Sequence, residues 1–200
     1  MRLAFDADDV LYPYAPNVLK FYNQLNGTNF TMADFTDYHL DVMWGNSREE
    51  ADSWVERFVY SDFSLNLPPI DGVYEALSRL QERHELNIIT ARWTPNRRRM
   101  TYYWLDQFLP GIFPVENIYF NSEMGICKSV LCRELGIDAL IDGRYAYIER
   151  TAKIGINAIL FQPDEYLWNR LPEILPDRVY RTRTWSDIEN TIERLGATQF

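Results

Sequence analysis

Leu3-Ala4-Phe5-Asp6-Ala7-Asp8-Asp9-Val10-Leu11 decides the fold of this chain. A short apolar run ends abruptly in three acids within four positions. Such a run predicts a buried parallel strand. Carboxylates crowded at the C-terminal end of a strand repel one another and are costly to desolvate. A bound cation would offset both costs. Taken alone, the stretch also reads as a strand that simply leaves into an acidic turn.

Working outward, strand-like runs recur at 86–90, 117–121, 138–141 and 157–161, with the first at 2–5. Helical patterns fill the gaps. Asp71 is a plausible N-cap for the stripe Val73, Ala76, Leu77 and Leu80. Thr94-Pro95 opens a helix running to about Phe108. Lys128 to Leu135 closes at Gly136, and Arg144 to Ile154 closes at Gly155. Ser186-Asp187-Ile188-Glu189 reads as a capping box for the last helix. Alternation of this kind implies right-handed crossovers and a five-stranded parallel sheet flanked by helices, an α/β Rossmann-like core.

The interruption lies between the first strand and Asp71, about sixty residues without a convincing strand. A helix from Ala15 to Asn26 closes at Gly27, and the capping box Ser47-Arg48-Glu49-Glu50 opens another carrying Ala51, Trp54, Val55, Phe58 and Val59 on one face. A structureless loop of that length would be unusual. A small helical insertion over 12–68 accounts for it better, leaving 1–11 and 69–200 as the core domain.

Further polar signals follow apolar strands. Ile88-Ile89 leads to Thr90-Ala91-Arg92, and Leu140-Ile141 leads to Asp142-Gly143-Arg144. Lys128 opens the helix after the third strand. Open α/β sheets bind ligands at the carboxyl ends of their strands. Singly, Thr90 reads equally as an N-cap hydroxyl, Lys128 as an exposed helix lysine and Asp142 as a turn residue. Their coincidence with Asp6 and Asp8 is the signal.

This set resembles the haloacid dehalogenase superfamily of phosphohydrolases across nearly the whole chain. Asp6-Ala7-Asp8-Asp9-Val10-Leu11 is similar to the first motif, Thr90 to the second, Lys128 to the third and Asp142 to the fourth. The insertion is similar to the superfamily's small helical cap. Phe63-Ser64-Leu65-Asn66-Leu67-Pro68-Pro69-Ile70-Asp71-Gly72, Ile89-Thr90-Ala91-Arg92, Trp104-Leu105, Gly111-Ile112-Phe113, Leu160-Phe161 and Trp168-Asn169 most resemble the 5′(3′)-deoxyribonucleotidase group and its relatives.

The resemblance implies a Mg²⁺-dependent phosphomonoesterase. Asp6 would attack phosphorus to form a phospho-aspartate, and Asp8 would serve as acid and then base. Asp6 and Asp142 would ligate Mg²⁺ with side chains, and Asp8 with its backbone carbonyl. Thr90, Ala91, Arg92 and Lys128 would hold the substrate, although Arg92 reads equally as a surface salt bridge. Arg97, Arg98 and Arg99 read as a solvated helix face. One departure matters: many relatives carry two adjacent acids where this chain has Asp142-Gly143, and no acid follows until Glu149. An impaired relative that binds a phosphorylated ligand without turnover is therefore the alternative.

The cap aromatics Tyr12, Tyr14, Phe35, Tyr38, Trp44 and Trp54 could stack on a nucleobase or build the cap's own core. Trp54 lies on the helical stripe and belongs to that core. Tyr12, Tyr14 and Trp93, close to the motifs, are the better contact candidates. A formal charge of −9 excludes a polymeric nucleic-acid binder. No apolar run reaches the roughly 20 residues of a membrane span. Met1-Arg2 leads straight into the motif, without a secretory leader, and Cys127 and Cys132 suit reduced thiols. A cytoplasmic protein acting on a small phosphorylated substrate is expected, and an aromatic cap face would allow a homodimer.

Overall fold

The computed structural model describes residues 1–92, 94–122 and 124–197. Six parallel strands form one sheet in the order β3-β2-β1-β4-β5-β6. They are β1 Arg2–Phe5, β2 Glu85–Thr90, β3 Ile118–Phe120, β4 Ala139–Asp142, β5 Asn157–Phe161 and β6 Val179–Thr182. The sheet thus has six strands rather than the expected five. β6 escapes a sequence reading because it is short and sits at the edge. Only Val179 and Thr182 are buried, Arg181 faces solvent, and arginines flank it at 178 and 183. β4 also runs one residue further than expected, so Asp142 ends the strand instead of following it.

Helices α5 Val73–Leu80, α6 Pro95–Phe108, α7 Lys128–Glu134, α8 Tyr145–Lys153 and α9 Trp185–Ala197 flank the sheet. Leu3 and Phe5 of β1, Ile141 of β4 and Ile159 of β5 are sealed under Val73, Leu77, Trp185 and Ile188. The other sheet face packs Ala4, Ile89 and Leu140 on Leu131 and Cys132. Asp71 does not cap α5, whose N-cap is Gly72 in the left-handed conformation. The last capping box also falls two residues earlier than expected. The Asp187 and Thr184 backbone N–H groups bond reciprocally to Thr184 Oγ1 and Asp187 Oδ2, because Trp185 must start the helix to reach the core.

Between β1 and α5 stand α1 Tyr14–Asn26, α2 Leu40–Trp44, α3 Arg48–Val59 and α4 Asp62–Leu65. The capping box of Ser47 and Glu50 opens α3 as expected, and Gly27 at φ 64° closes α1. The short α2 and α4 carry too few turns to be read from periodicity. Tyr22 stacks on Trp44 at 4.1 Å and meets Trp54 edge-on at 5.3 Å, so both tryptophans build the insertion's own core. Among the described residues, no helix is long and apolar enough to cross a membrane. Cys127 and Cys132 are free thiols.

Candidate active site

The strand order reverses between β1 and β4, the place where an open α/β sheet binds ligands. Phe5 pairs with Ile141, and the Asp6 N–H donates to the Ile141 carbonyl at 2.9 Å. Asp6 and Asp142 therefore leave neighbouring strand ends side by side. Thr90 ends β2 on the other flank of β1. Lys128, at the start of α7, is 1% exposed and reaches both acids. Its Nζ lies 2.6 Å from Asp142 Oδ2 and 2.8 Å from Asp6 Oδ1. The structure thus brings together Asp6, Asp8, Thr90, Ala91, Arg92 and Lys128 on one cavity of about 250 Å³. Asp142, fully buried, lies beneath it behind Lys128.

Charge here is concentrated and largely buried. Burial pushes the Asp6 carboxyl up to about 7, with Asp142 and Asp8 adding to the rise and Lys128 opposing it. Burial also works against the Lys128 ammonium, but Asp142 and Asp6 outweigh it and hold that group above the ordinary lysine range. Thr90 Oγ1 is buried without a hydrogen-bond partner. Asp6 Oδ1 has only the Lys128 ammonium, at 2.8 Å. Both oxygens stand at strand ends on the cavity, where a ligand could complete them.

Asp8 is held differently. Arg92 grips it with two bonds, Nη2 to Oδ1 at 2.5 Å and Nε to Oδ2 at 3.2 Å. The same guanidinium donates to Thr101 Oγ1 at 3.0 Å. Arg92 thus orients Asp8 at the cavity wall, a pairing across 84 residues that no local pattern announces. Among the described residues no three His, Cys, Asp or Glu side chains cluster as a metal site. Lys128 stands between Asp6 and Asp142, and Asp8 is turned to Arg92.

Asp9 was not singled out by sequence, although it stands inside the motif. It takes the left-handed conformation at φ 57°, is 3% exposed and accepts from the Ala15 N–H at 2.8 Å, so it caps α1. Burial holds its carboxyl well above the usual range. Gly143 lies against it. A Cβ at 143 would stand 3.5 Å from the Asp9 carbonyl oxygen and 3.9 Å from its Cβ, and the Gly143 carbonyl accepts from Trp168 and Asn169. Glu149 pairs with Lys153 and is not a cavity residue.

The aromatic expectations divide. Tyr14, Phe35 and Tyr38 line the cavity. Tyr12 does not: its hydroxyl bonds to Ser64 Oγ at 2.6 Å and its ring packs edge-on against Trp104. Trp93 lies outside the described residues. Arg97, expected on a solvated face, turns inward to the cavity and bonds Glu56 of α3 at 2.6 Å. The turn before α2, α2 itself and the start of α3 add His39, Asp41 and Arg48 to the rim.

Acid at the end of β1, hydroxyl at the end of β2, lysine at the start of α7 and acid at the end of β4 define a hydrolase of the haloacid dehalogenase class. Solved structures agree on the fold. A hydrolase of this class from Bacillus subtilis, YfnB bound to magnesium, superposes with TM-score 0.63 at 18% identity, covering 96% of this chain and 98% of that one. A family hydrolase from Deinococcus radiodurans with bound phosphate and sodium gives 0.63 at 13%, covering 98% and 96%. Within the class, the chain belongs to the family described as 5′ nucleotidase, deoxy (pyrimidine), cytosolic type C, whose model matches residues 1–200. A candidate nucleotidase of Halalkalibacterium halodurans is 24% identical over 192 residues, 96% of this chain and 92% of its own. The protein is a phosphoric monoester hydrolase by that membership.

Proposed function

We propose that the protein is a Mg²⁺-dependent phosphomonoesterase of the nucleotidase type, working through a phospho-aspartate on Asp6. The observation that carries this reading is the Lys128 bridge between Asp6 and Asp142 beside the unsatisfied Thr90 Oγ1. An oxygen of Asp6 attacks phosphorus as the ester P–O bond breaks, and Asp8 gives its proton to the departing alkoxide. Asp8 then takes a proton from water, which attacks the phospho-aspartate, releases phosphate and restores Asp6. Thr90 and Lys128 hold the phosphoryl oxygens, and Arg92 aims Asp8.

The local donors suit magnesium, being oxygens without histidine or cysteine: carboxylates of Asp6 and Asp142 and the Asp8 carbonyl. When bound, Mg²⁺ supplies positive charge that lets an anionic carboxylate and an anionic phosphate approach. The helical stretch 12–68 acts as a cap, its Tyr14, Phe35 and Tyr38 forming the wall above the phosphate site. The substrate is a small phosphorylated metabolite of the nucleotide kind, with a ring-bearing leaving group.

Gly143 favours a second reading, ligand binding without turnover, since Asp142 has no adjacent acid. The test is phosphate release from nucleoside 5′- and 3′-monophosphates and an aryl phosphate, with Mg²⁺ or chelator, by wild type and Asp6→Asn. Magnesium-dependent release lost in Asp6→Asn supports the enzyme. Release in neither, with phosphate still bound, supports the second reading. Gly143→Asp would then be informative, although its carboxylate must settle against Asp9.

A further inference from the structure

Five cationic side chains line the cavity: Arg48, Arg92, Arg97, Lys128 and Arg144. Four are matched by carboxylates. Lys128 meets Asp6 and Asp142, Arg92 meets Asp8, Arg97 meets Glu56, and Arg48 meets Asp52 and Asp41. Arg144 has no carboxylate partner among the described residues. An arginine half-withdrawn from water beside so many acids, yet matched to none, needs an account.

Its placement supplies one. Arg144 follows Asp142-Gly143 directly, and its backbone N–H donates to Asp142 Oδ1 at 2.8 Å. Its guanidinium stands 4.4 Å from the Tyr38 ring and 5.2 Å from the Tyr147 ring. Two ring contacts restrain the guanidinium plane. One N–H contact is spent on the Tyr147 hydroxyl, and that is a long 3.5 Å. A guanidinium has five donors, so its in-plane edge stays available. The Tyr147 ring also lies 4.8 Å from Lys128 Nζ, which puts Arg144 within about 10 Å of the lysine that would hold phosphate. A small phosphomonoester held at Lys128 can reach that far, and Tyr38 of the insertion packs on the other side of the guanidinium.

We infer that Arg144, restrained by Tyr38 and Tyr147, is the specificity-determining residue of the site, receiving acceptor oxygens on the leaving group of the phosphomonoester. The shared ligand chemistry is an oxygen acceptor pair, offered by the ring carbonyls of a nucleobase or by a carboxylate. Its chemical setting rests on the phosphomonoesterase reading, but binding tests it separately. An apolar leaving group would cover the part-buried guanidinium without offering it an acceptor, so the site would disfavour it.

The experiment is calorimetric titration of Asp6→Asn protein in Mg²⁺ with uridine 5′-monophosphate, phosphoglycolate and phenyl phosphate. Arg144→Met and Arg144→Lys are added to the same background. Arg144→Met is expected to weaken one of the first two ligands roughly 10–100-fold, the effect of a charge-assisted bonding pair. Phenyl phosphate should shift less than about twofold. The ligand that loses affinity names the source, ring carbonyl or carboxylate. Arg144→Lys keeps charge without the fork and should fall between. It also carries the test if the Met variant does not fold, and a Lys variant that binds like the parent overturns the forked contact. Equal losses for all ligands, no loss, or no binding of either oxygen-bearing ligand overturn the inference. Absence of turnover in wild type would sink the phosphomonoesterase reading while these affinities still decide the role of Arg144.

Discussion

On the sheet, the Lys128–Asp6 and Lys128–Asp142 pairs leave only 1%, 11% and 1% of the lysine, Asp6 and Asp142 side chains exposed. In the helical insertion, Arg48 and Asp52 pair with 59% and 53% of their side chains in water. The first group is sealed by strands that cannot shift without breaking the core. The second lies on helices held by ring contacts, Tyr22 stacked on Trp44 and Phe21 edge-on to Phe58. Buried charges are costly to uncover, whereas exposed pairs contribute little. The floor of the cavity is therefore suited to fixed chemistry, and the wall above it to selection among substrates.

The strongest way to break this contrast is Asp6→Asn. Losing the proposed nucleophile should lower phosphate release by at least about 10³-fold while the protein stays folded, as circular dichroism would show. Residual turnover near wild type would move the chemistry off the floor. Next comes Lys128→Met, which leaves two buried acids without their cation. It should cost about 3–5 kcal/mol in denaturant unfolding, whereas Arg48→Met should stay within about 0.5 kcal/mol. Similar losses for both would erase the distinction between floor and wall.

Within the insertion, Trp44→Ala removes the ring stacked on Tyr22 and should cost about 3 kcal/mol, read as a lower melting temperature. Affinity for inorganic phosphate should persist, since Trp44 does not line the cavity.

The gentlest test is pH, in chelator. Asp6 sits at about 7 in the folded protein against 3.8 for the free group. Between these values the folded state holds the extra proton, so stability falls as pH rises and the penalty is complete above about 7. The slope cannot exceed about 1.4 kcal/mol per pH unit for one proton. Asp34 in the insertion is opposite in sign. Hydrogen bonds from the Thr31 backbone and hydroxyl lower its pKa, so its contribution is present above the ordinary carboxylate value and is lost as pH falls through the folded one. Melting curves of wild type, Asp6→Asn and Asp34→Asn across the acid range should flatten on opposite sides. Parallel curves would show that neither residue titrates as placed.

The same divide governs what could be read in advance. Asp6, Thr90, Lys128 and Asp142 were legible because each stands where an apolar run stops or a helix starts, and strand and helix periods are local. Trp54 was legible as core for the same reason. β6 was not, being four residues at an edge with arginines around it. Tyr12 and Arg97 were read in the wrong direction, because a position in sequence does not say which way a side chain turns. Tyr12 finds Ser64 fifty-two residues away, and Arg97 finds Glu56 forty-one away.

By itself, then, the sequence determined the alternation of strand and helix, the helical insertion after the first motif, and the four strand-end and helix-start groups that make the floor. Each follows from hydrophobic period and from the cost of placing carboxylates at a strand end. Only the tertiary structure decided the grip of Arg92 on Asp8, the contact of Gly143 with Asp9 and the unmatched charge of Arg144 between two tyrosines. Those depend on packing between distant segments, where a buried charge takes whatever partner the fold brings within reach.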